Sequence, residues 1–379
     1  MKTSSSRILT THVGSLPRSQ AVADIVFARE AGEALDENRA NAVIANAIQA
    51  VVHRQVEIGL DVVSDGEFSK VSYSTYIKDR LSGFGGESER EPAQDMLDYP
   101  GTLQRRQAAG TRSAVKPPRC IGEIRVKDLE PLETDLRNFR AAVDAASPVE
   151  AFMNAASPGV IALFQPNDHY PDHESYLGAL AEAMRVEYEA IVAAGFLLQI
   201  DSPDIGMGRH TIFRHQSDEE YVRLANLHIE VLNHALRNIP ADRLRLHVCW
   251  GNYEGPHHRD APMEVVLPIA LKAKPQALLF ESANPRHAHE WTVFRDTTLP
   301  DDKILVPGVI DSTTNFIEHP RLVAERIGRF VDIVGRERVI AGTDCGFATF
   351  AGHGAVDGDV AFAKLGSLVE GARLAGQRL

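Results

Sequence analysis

Cysteine is scarce in this chain, with three residues among 379, at Cys120, Cys249 and Cys345. Three cysteines cannot build the disulfide framework of a small secreted protein. In a chain of this size they are typical of a reducing compartment, where a cysteine is free, metal-bound or catalytic. The N-terminal residues also lack the apolar stretch of a secretory signal. We therefore expect a cytoplasmic protein.

Two further absences exclude whole classes of partner. No apolar run approaches the roughly 18 residues that suggest a membrane-spanning helix, so no membrane partner is expected. Asp and Glu number 52 against 40 Lys and Arg, which gives a formal net charge of -12. Because no dense run of Lys or Arg occurs, nucleic acid is not an expected partner either. The expected partners are small molecules, and a homo-oligomer is possible.

Short apolar runs alternate with stretches of helical periodicity. The runs predicted as strands lie at 8–14, 61–66, 159–164, 196–201, 243–249, 276–282, 303–310 and 338–344. Between them apolar residues recur at three- and four-residue intervals, as over 174–195 and 218–239. Eight strands alternating with helices predict an α/β fold, and eight parallel strands close a (β/α)8 TIM barrel. An open doubly wound sheet gives the same alternation, but no glycine-rich dinucleotide loop follows the first run.

One stretch departs from this alternation. Residues from about 80 to 150 are charged and rich in glycine and proline, with one β-like piece at 120–130. A connection this long inside a compact domain usually has a function or carries its own elements. We interpret residues 1–379 as a single catalytic barrel. The stretch is then a long excursion between the second and third strands, covering the barrel mouth.

Polar residues recur at the carboxyl ends of the predicted strands. In an α/β barrel these ends and the loops that follow them form the active-site face. The polar side chains are therefore expected to face one common mouth. They are His12, Ser15, Asp65, Glu67, Asp201, His247, Cys249, Glu281, Asp311, Asp344 and Cys345.

A histidine and a cysteine lie one residue apart in the segment LRLHVCW. Residues i and i+2 of a strand point the same way, so His247 and Cys249 face one side. Such a pair alone often packs in a core. Glu281 and Cys345 end two further strands, which converge on the same mouth in a closed barrel. Two thiolates, an imidazole and a carboxylate suit tetrahedral zinc, so these four residues are predicted ligands of Zn2+. A weakly held carboxylate could leave when a substrate thiol binds.

Seven segments together resemble a known family. They are THVGSLPRS, VVSDGEFSK, LQIDSPD, HVCWGNYEGPHH, ESANPRHAHEW, PGVIDSTTNFIEHP and GTDCGF. In this order they resemble the C-terminal catalytic barrel of the cobalamin-independent methionine synthases. Among these, the chain is most similar to single-barrel members such as epoxyalkane:coenzyme M transferase and the "methionine synthase II" proteins. The resemblance implies a (β/α)8 barrel whose zinc activates a thiol that then takes up an alkyl group. It implies the same four zinc ligands.

The resemblance also assigns substrate contacts. Ser15, Glu67 and Asp201 occupy the positions that hold the homocysteine amino group in methionine synthases, and we interpret Glu67 and Asp201 as catalytic. Arg18 and Arg286 could hold a substrate anion or brace loops through carbonyl groups. Aromatic residues near the ligands could line a pocket or simply pack. The residues predicted to bind substrate are Ser15, His12, Arg18, Trp250, Tyr253, Arg286 and Asp311.

Two features depart from the methionine synthase pattern. Thr313 stands where those enzymes have a proton-transferring histidine, and the segment 157–167 lacks the tryptophan that stacks on folate. Both absences count against a folate donor more than against a thiol acceptor. The sequence predicts a zinc-dependent enzyme that transfers a methyl or other alkyl group from a donor onto a small thiol. An epoxide-opening thiol transferase of the coenzyme M type and a zinc-dependent C–S lyase or hydrolase remain alternatives.

Overall fold

The computed structural model describes residues 1–89, 91–108, 116–352 and 354–377. Most of its strands are short and buried, and they lie between helices along the chain. The strands are β1 (Leu9–Thr10), β2 (Val62–Val63), β3 (Phe84–Gly85), β4 (Arg119–Cys120), β5 (Glu150–Ala156), β6 (Leu197–Asp201), β7 (Leu244–His247), β8 (Ala277–Phe280), β9 (Ile304–Ile310) and β10 (Ile340–Thr343).

Eight of these strands form a parallel barrel. Hydrogen-bonded neighbours follow the order β1, β10, β9, β8, β7, β6, β5, β2. The remaining seam is bridged where the backbone N–H of Asp61 donates to the carbonyl oxygen of Thr10, at 3.2 Å. The predicted (β/α)8 TIM barrel is therefore confirmed. The carboxyl ends of all eight strands share one face.

Helices surround the barrel, and several begin at residues that cap a helix well. Asp36, Asp172 and Ser217 each accept a hydrogen bond from a backbone N–H in the first turn of the helix that follows, which satisfies one of its free donors. The helices are α1 (Gln20–Glu30), α2 (Glu37–Glu57), α3 (Ile77–Arg80), α4 (Gln94–Leu97), α5 (Pro100–Ala108), α6 (Glu130–Ala146), α7 (Pro158–Phe164), α8 (His173–Ala193), α9 (Pro203–Gly206), α10 (Asp218–Ala235), α11 (Met263–Ala270), α12 (Trp291–Asp296), α13 (Pro320–Val334) and α14 (Gly358–Gly376), with 3-10 turns at Met207–His210, Ala241–Arg243 and Arg336–Arg338.

The prediction of a strand at 159–164 is wrong. That run forms the helix α7, and the third barrel strand is β5, which lies just before it. A short, fully buried apolar run has the same pattern in a strand and in a helix. The helix is set by Ser157, whose hydroxyl accepts from the N–H of Val160 at 2.9 Å. It is also set by Pro158 in the first turn, where a missing N–H costs nothing.

The excursion between β2 and β5 carries its own elements. Strands β3 and β4 pair antiparallel, with Phe84 opposite Cys120, and α6 returns the chain to the barrel by packing on α2. The short helices α4 and α5 lie between these parts of the chain. The β-like piece predicted at 120–130 is a strand only at its first residue. No helix in the described part of the chain is both long and apolar enough to cross a membrane.

The barrel interior beneath the strand ends is polar. Arg245, on β7, donates to the hydroxyl of Thr11 and to the carbonyl oxygen of His12, each at 3.0 Å. Its guanidinium lies 3.9 Å from the ring centre of Phe152. These contacts tie β7 to the chain just after β1. The register of the strand that ends at His247 is thereby fixed.

Candidate metal and substrate site

Three of the predicted metal ligands meet at the carboxyl end of the barrel. His247 ends β7, Cys249 follows two residues later, and Cys345 follows β10. One ligand atom of each lies within 4.8 Å of the other two, and all three side chains are buried. The Sγ atoms of Cys249 and Cys345 are 3.7 Å apart. Two sulfurs bound to tetrahedral zinc at about 2.3 Å would be separated by about 3.8 Å, so this spacing fits the ion.

The imidazole of His247 is oriented for metal binding. Its Nδ1 lies 3.1 Å from Oδ1 of Asp201, whereas its Nε2 is buried without a hydrogen-bond partner among the described residues. A carboxylate that accepts the Nδ1–H leaves the Nε2 lone pair available to a metal ion. This arrangement is the usual support for a zinc-bound histidine. The residues present therefore fit zinc.

The two thiols need a positive ion to ionise. The hydrogen bond that the Cys249 thiol donates to Cys345, together with burial, raises the pKa of Cys249 well above its ordinary value. Buried in this way, the pair would stay neutral at physiological pH. A bound divalent cation reverses this preference, because it stabilises the thiolate directly.

Glu281 lies beside this group and is held by protein donors. Its Oε1 accepts from the backbone N–H of Trp250 at 2.8 Å, and its Oε2 accepts from the side-chain amide of Asn284 at 2.7 Å. It is not among the three residues whose ligand atoms lie within 4.8 Å of one another. Asp344 fixes the same loop by accepting from the backbone N–H groups of Ser282 and Asn284, both at 2.8 Å. The role of Glu281 as a fourth ligand stays a prediction.

A cavity of about 800 Å³ opens onto the three ligands, and Ser15, Glu67 and Asp201 line it with them. Ser15 approaches closely because Gly346 has no side chain. A Cβ atom at Gly346 would lie 2.0 Å from the Ser15 hydroxyl oxygen. The predicted group of one hydroxyl and two carboxylates therefore shares a cavity with the thiols.

Glu67 has an unusual backbone conformation and a carboxyl group with a raised pKa. It has a positive φ of 59°, stabilised by the N–H of Glu67 donating to Oδ1 of Asp65 at 2.9 Å. Its Oε2 is buried and has no hydrogen-bond partner in the described structure. Burial, aided by the charge of Asp201 and opposed by that of Lys70, raises the pKa of Glu67 to about 7. Glu67 therefore lines the cavity with a carboxyl group that has one unsatisfied oxygen among the described residues.

Asp201 is held by one residue of the neighbouring strand β5 and one of its own strand β6. Its Oδ2 accepts from the side-chain amide of Asn154 at 2.9 Å, and its Oδ1 accepts from that of Gln199 at 3.0 Å. Neither residue was among those predicted from the sequence. Asn154 lies on β5, the strand that was misplaced. Gln199 could have been found, because it faces the same side of β6 as Asp201.

Two of the residues predicted to bind substrate support the first loops. His12 uses both ring nitrogens within the protein: Nε2 contacts Gln55 at 2.8 Å, and Nδ1 accepts from the N–H of Gly14 at 3.2 Å. Arg18 donates to the carbonyl oxygens of Ala348, at 2.9 Å, and of Glu67, at 2.6 Å. Neither lines the cavity formed by the described residues. Arg18 braces loops, which is the alternative that the sequence left open.

Three more of the residues predicted to bind substrate do not line the cavity. Trp250 is fully buried, with its indole N–H donating to the carbonyl oxygen of Ala261 at 2.7 Å. Arg286 is exposed. Asp311 caps its own loop by accepting from the backbone N–H groups of Thr313, at 3.0 Å, and of the next residue. Trp250, Arg286 and Asp311 therefore have structural or surface positions outside the lining of this cavity, and their substrate contacts stay predictions.

Tyr253 lines the cavity and connects the excursion to the metal-ligand loop. Its hydroxyl donates to Oδ2 of Asp95, in α4, at 2.7 Å. Its ring stacks on His257 with centroids 4.3 Å apart. The excursion also lines the cavity through Met96, Leu103 and further residues.

His287 and His257 belong to a largely buried network. His287 lies between Asp260, at 3.0 Å, and Glu290, at 2.7 Å. Burial opposes its protonation, but these two carboxylates outweigh it and raise the pKa of His287 to about 10. His257 contacts the same Asp260 at 2.9 Å. This network packs behind the metal-ligand loop and does not line the cavity.

Comparisons with known proteins assign the family. The family model described as "Cobalamin-independent synthase, Catalytic domain" matches residues 8–373, so the chain belongs to this family. A methionine synthase of Saccharolobus solfataricus is 24% identical over 376 residues, which cover 98% of this chain and 95% of the relative. The uncharacterized protein YxjH of Bacillus subtilis is 25% identical over 368 residues, covering 95% and 92%.

Solved structures support the fold. The B12-independent methionine synthase of Shewanella sp. W3-18-1, in complex with selenomethionine, superimposes with a TM-score of 0.71 at 18% identity, covering 98% of both chains. The "Putative Vitamin-B12 Independent Methionine Synthase" from Listeria monocytogenes gives a TM-score of 0.65 at 21% identity and covers 97% of this chain and 98% of the other. Both share the barrel architecture.

Proposed function

We propose that this protein transfers a methyl group onto the sulfur of a small amino-thiol of the homocysteine type, with Zn2+ bound by His247, Cys249 and Cys345. Membership of the cobalamin-independent synthase family supports this class of reaction, and relatives along nearly the full length are named methionine synthases. One observation carries the proposal. Two buried thiols 3.7 Å apart lie beside an imidazole nitrogen that has no partner among the described residues, in the same cavity as two carboxylates.

Zinc bound there would stabilise the negative charge of a substrate thiolate at neutral pH. Asp201 would keep the proton on Nδ1 of His247 and so keep Nε2 directed at the ion. We propose Glu281 as the ligand that exchanges with the substrate. Its carboxylate already has two protein donors, Trp250 and Asn284, and these can hold it when it is not bound to the metal.

The two carboxylates at this end of the cavity favour a thiol that carries an amino group. Glu67 and Asp201 interact closely enough that the charge of Asp201 raises the pKa of Glu67. An ammonium group between them would remove this repulsion, and Glu67 would then ionise. A sulfonate or carboxylate in the same place would be repelled. This charge arrangement favours homocysteine over an anionic thiol such as 2-mercaptoethanesulfonate.

The test uses the zinc-loaded protein and methyl iodide, a donor small enough to need no dedicated binding site. Homocysteine should be methylated faster than 2-mercaptoethanesulfonate. Glu67→Gln should raise the KM for homocysteine about 10- to 100-fold, as expected from a charge-assisted hydrogen bond worth about 1.5–3 kcal/mol. Glu89→Gln, which changes an exposed acidic residue of the outer cavity, is the matched control and should leave KM unchanged.

Two outcomes would contradict the proposal. Equal rates with both thiols, or a lower KM for 2-mercaptoethanesulfonate in Glu67→Gln than in the unmodified protein, would favour an anionic thiol and the coenzyme M type of chemistry. Loss of methyl transfer in the Glu89→Gln control as well would show that the effect of Glu67→Gln is not specific to the amino group.

A further inference from the structure

We infer that the methyl donor is a small onium compound, with its transferable methyl group on a positively charged sulfur or nitrogen, bound by the rings of Tyr73, Phe164 and Phe350. The inference rests on the proposed function and adds the chemical class of the second substrate. These three residues are called the aromatic corner below. All three line the cavity that contains the metal ligands.

The ring planes of the aromatic corner are steeply inclined to one another. The ring centroids of Tyr73 and Phe164 are 5.6 Å apart with an interplanar angle of 85°, and those of Tyr73 and Phe350 are 6.0 Å apart at 69°. Rings at such angles form the walls of a corner and can surround a compact group from several sides. Aromatic walls of this kind recognise methylated cations, because the ring faces are electron-rich.

The backbone holds the aromatic corner in place. The N–H of Ala351 donates to the carbonyl oxygen of Val71 at 2.9 Å, and Ser72 pairs with Phe350 in an antiparallel bridge. The segments that carry Tyr73 and Phe350 are therefore joined directly. Preorganised walls cost less entropy when a ligand binds.

The charge of the cavity also favours a cation. Its described lining contains four acidic residues, Glu67, Glu89, Glu91 and Asp201, against two basic ones, Arg106 and Lys116. Lys116 is paired with Glu87 at 3.1 Å, and Glu91 is paired with Arg214, so Glu67, Glu89 and Asp201 stand against Arg106. The excess of negative charge disfavours a donor with several carboxylates and attracts a positively charged one.

With the amino-thiol bound, the cavity is poor in groups that could protonate a leaving group, because Glu67, whose pKa is raised to about 7, ionises beside the ammonium group. Among the described residues that line it, His247 is the only histidine, and it is a proposed metal ligand. Thr313, at the position of the proton-transferring histidine of methionine synthases, donates its hydroxyl to Asp311 at 2.8 Å. Burial and the neighbouring Asp95 raise the pKa of Tyr253 far above its ordinary value, so this phenol is a weak acid.

An onium donor needs no acid. The thiolate sulfur attacks the methyl carbon and forms a new C–S bond with its electron pair. The bond from that carbon to the positive sulfur or nitrogen breaks, and its electron pair stays with the leaving atom. A sulfonium donor leaves as a neutral thioether, and a quaternary ammonium donor leaves as a neutral tertiary amine. A methyl group on a neutral amine, in contrast, requires protonation of that nitrogen before it can leave.

The first test measures binding to the zinc-loaded protein without turnover. Tetramethylammonium should bind, and neopentyl alcohol, a neutral group of similar size, should bind at least about tenfold more weakly. Tyr73→Leu and Phe350→Leu should each weaken tetramethylammonium binding about tenfold, whereas Tyr73→Phe should retain it. Equal binding of the cation and the neutral compound, or an equal loss in Tyr73→Phe and Tyr73→Leu, would overturn the inference.

The second test measures turnover with homocysteine and three donors. S-methylmethionine and glycine betaine represent the sulfonium and ammonium sources, and at least one should be used faster than 5-methyltetrahydrofolate. His353→Gln is included because His353 lies outside the described residues, and it should leave this turnover unchanged. A tenfold loss in His353→Gln would indicate acid assistance and overturn the inference. If methyl iodide is used but neither onium donor is, the inference about the donor is overturned and the proposed function stands. If methyl iodide is not used either, the proposed function is overturned as well.

Discussion

The imidazole of His247 and the carboxylate of Asp201 meet at 3.1 Å between Nδ1 and Oδ1. This contact joins the proposed metal centre to the proposed amino-group site. Asp201 fixes which nitrogen of His247 faces the thiols, and it also places a negative charge in the cavity. Its own orientation is set by the amides of Asn154 and Gln199. A change at Asp201 should therefore affect both metal and thiol binding.

We expect Asp201→Asn to weaken zinc binding about 10- to 100-fold, the usual effect of removing a carboxylate that supports a metal-binding histidine. The amide is neutral and stabilises the Nδ1–H less. Competition with a chromogenic chelator measures this affinity. Asp332→Asn, at an exposed position of α13, is the control and should bind zinc as the unmodified protein does. An unchanged affinity in Asp201→Asn would mean that the contact with His247 does not support a metal.

Each cysteine substitution at the centre should abolish stoichiometric zinc. Cys249→Ser and Cys345→Ser remove one ligand each, while Cys120→Ser changes a buried cysteine of the excursion and should retain the metal. Elemental analysis of the purified variants measures the zinc content. Far-ultraviolet circular dichroism should show an intact fold in all three, because a barrel of this size has ample core without the ion. Full occupancy in both site variants would disprove the ligand assignment.

Glu67 should make stability depend on pH in a defined direction. Its pKa is about 7 in the folded protein, above the ordinary value of 4.5, so the folded state favours the protonated form. The contribution of Glu67 to the free energy of unfolding is fully present below about pH 4.5 and is lost as the pH rises through 7. Glu67→Gln removes this loss. It should stabilise the protein at pH 8 by at most about 3 kcal/mol, and much less at pH 5.

Urea unfolding of the metal-free protein at both pH values measures this difference. The metal-free form is used so that zinc binding does not contribute. A Glu67→Gln variant that is equally stabilised, or destabilised, at pH 5 and pH 8 would show that the carboxyl group does not titrate in this range.

Gly346→Ala should weaken thiol binding near Ser15 and leave zinc binding unchanged. The new methyl group would lie 2.0 Å from the hydroxyl oxygen of Ser15, which must move. We expect a destabilisation of about 1–3 kcal/mol from the forced repacking, together with a raised KM for the thiol. Gly366→Ala, in α14 with nothing within 4 Å of the added Cβ, is the control. It should stabilise the protein by about 0.5–1 kcal/mol, because alanine favours a helix.

The barrel was predictable because its strands and helices repeat regularly. Seven of the eight predicted runs overlap barrel strands, and the exception, 159–164, is a buried helix that no periodicity could distinguish. The spacing of His247 and Cys249 predicted a shared direction, and the structure brings both to Cys345. These are local patterns, which a single sequence retains.

Contacts between distant loops could not be predicted in the same way. His12 and Arg18 lie in the right segment, but Gln55 and the carbonyl oxygen of Ala348 take up their polar atoms. Trp250 is fully buried and does not line the cavity, and its indole N–H donates to a carbonyl oxygen 11 residues later. The aromatic corner joins segments almost 280 residues apart, and no spacing along the chain indicates that Tyr73 and Phe350 meet.

The most direct measurement is the absorption spectrum of the cobalt-substituted protein during titration with thiols. The account predicts that homocysteine increases the thiolate-to-cobalt charge-transfer band, as a third thiolate joins those of Cys249 and Cys345. Glu67→Gln should require more homocysteine for the same change, and 2-mercaptoethanesulfonate should produce little change at equal concentration. A spectrum unaffected by homocysteine would contradict the account, and so would the same response to both thiols.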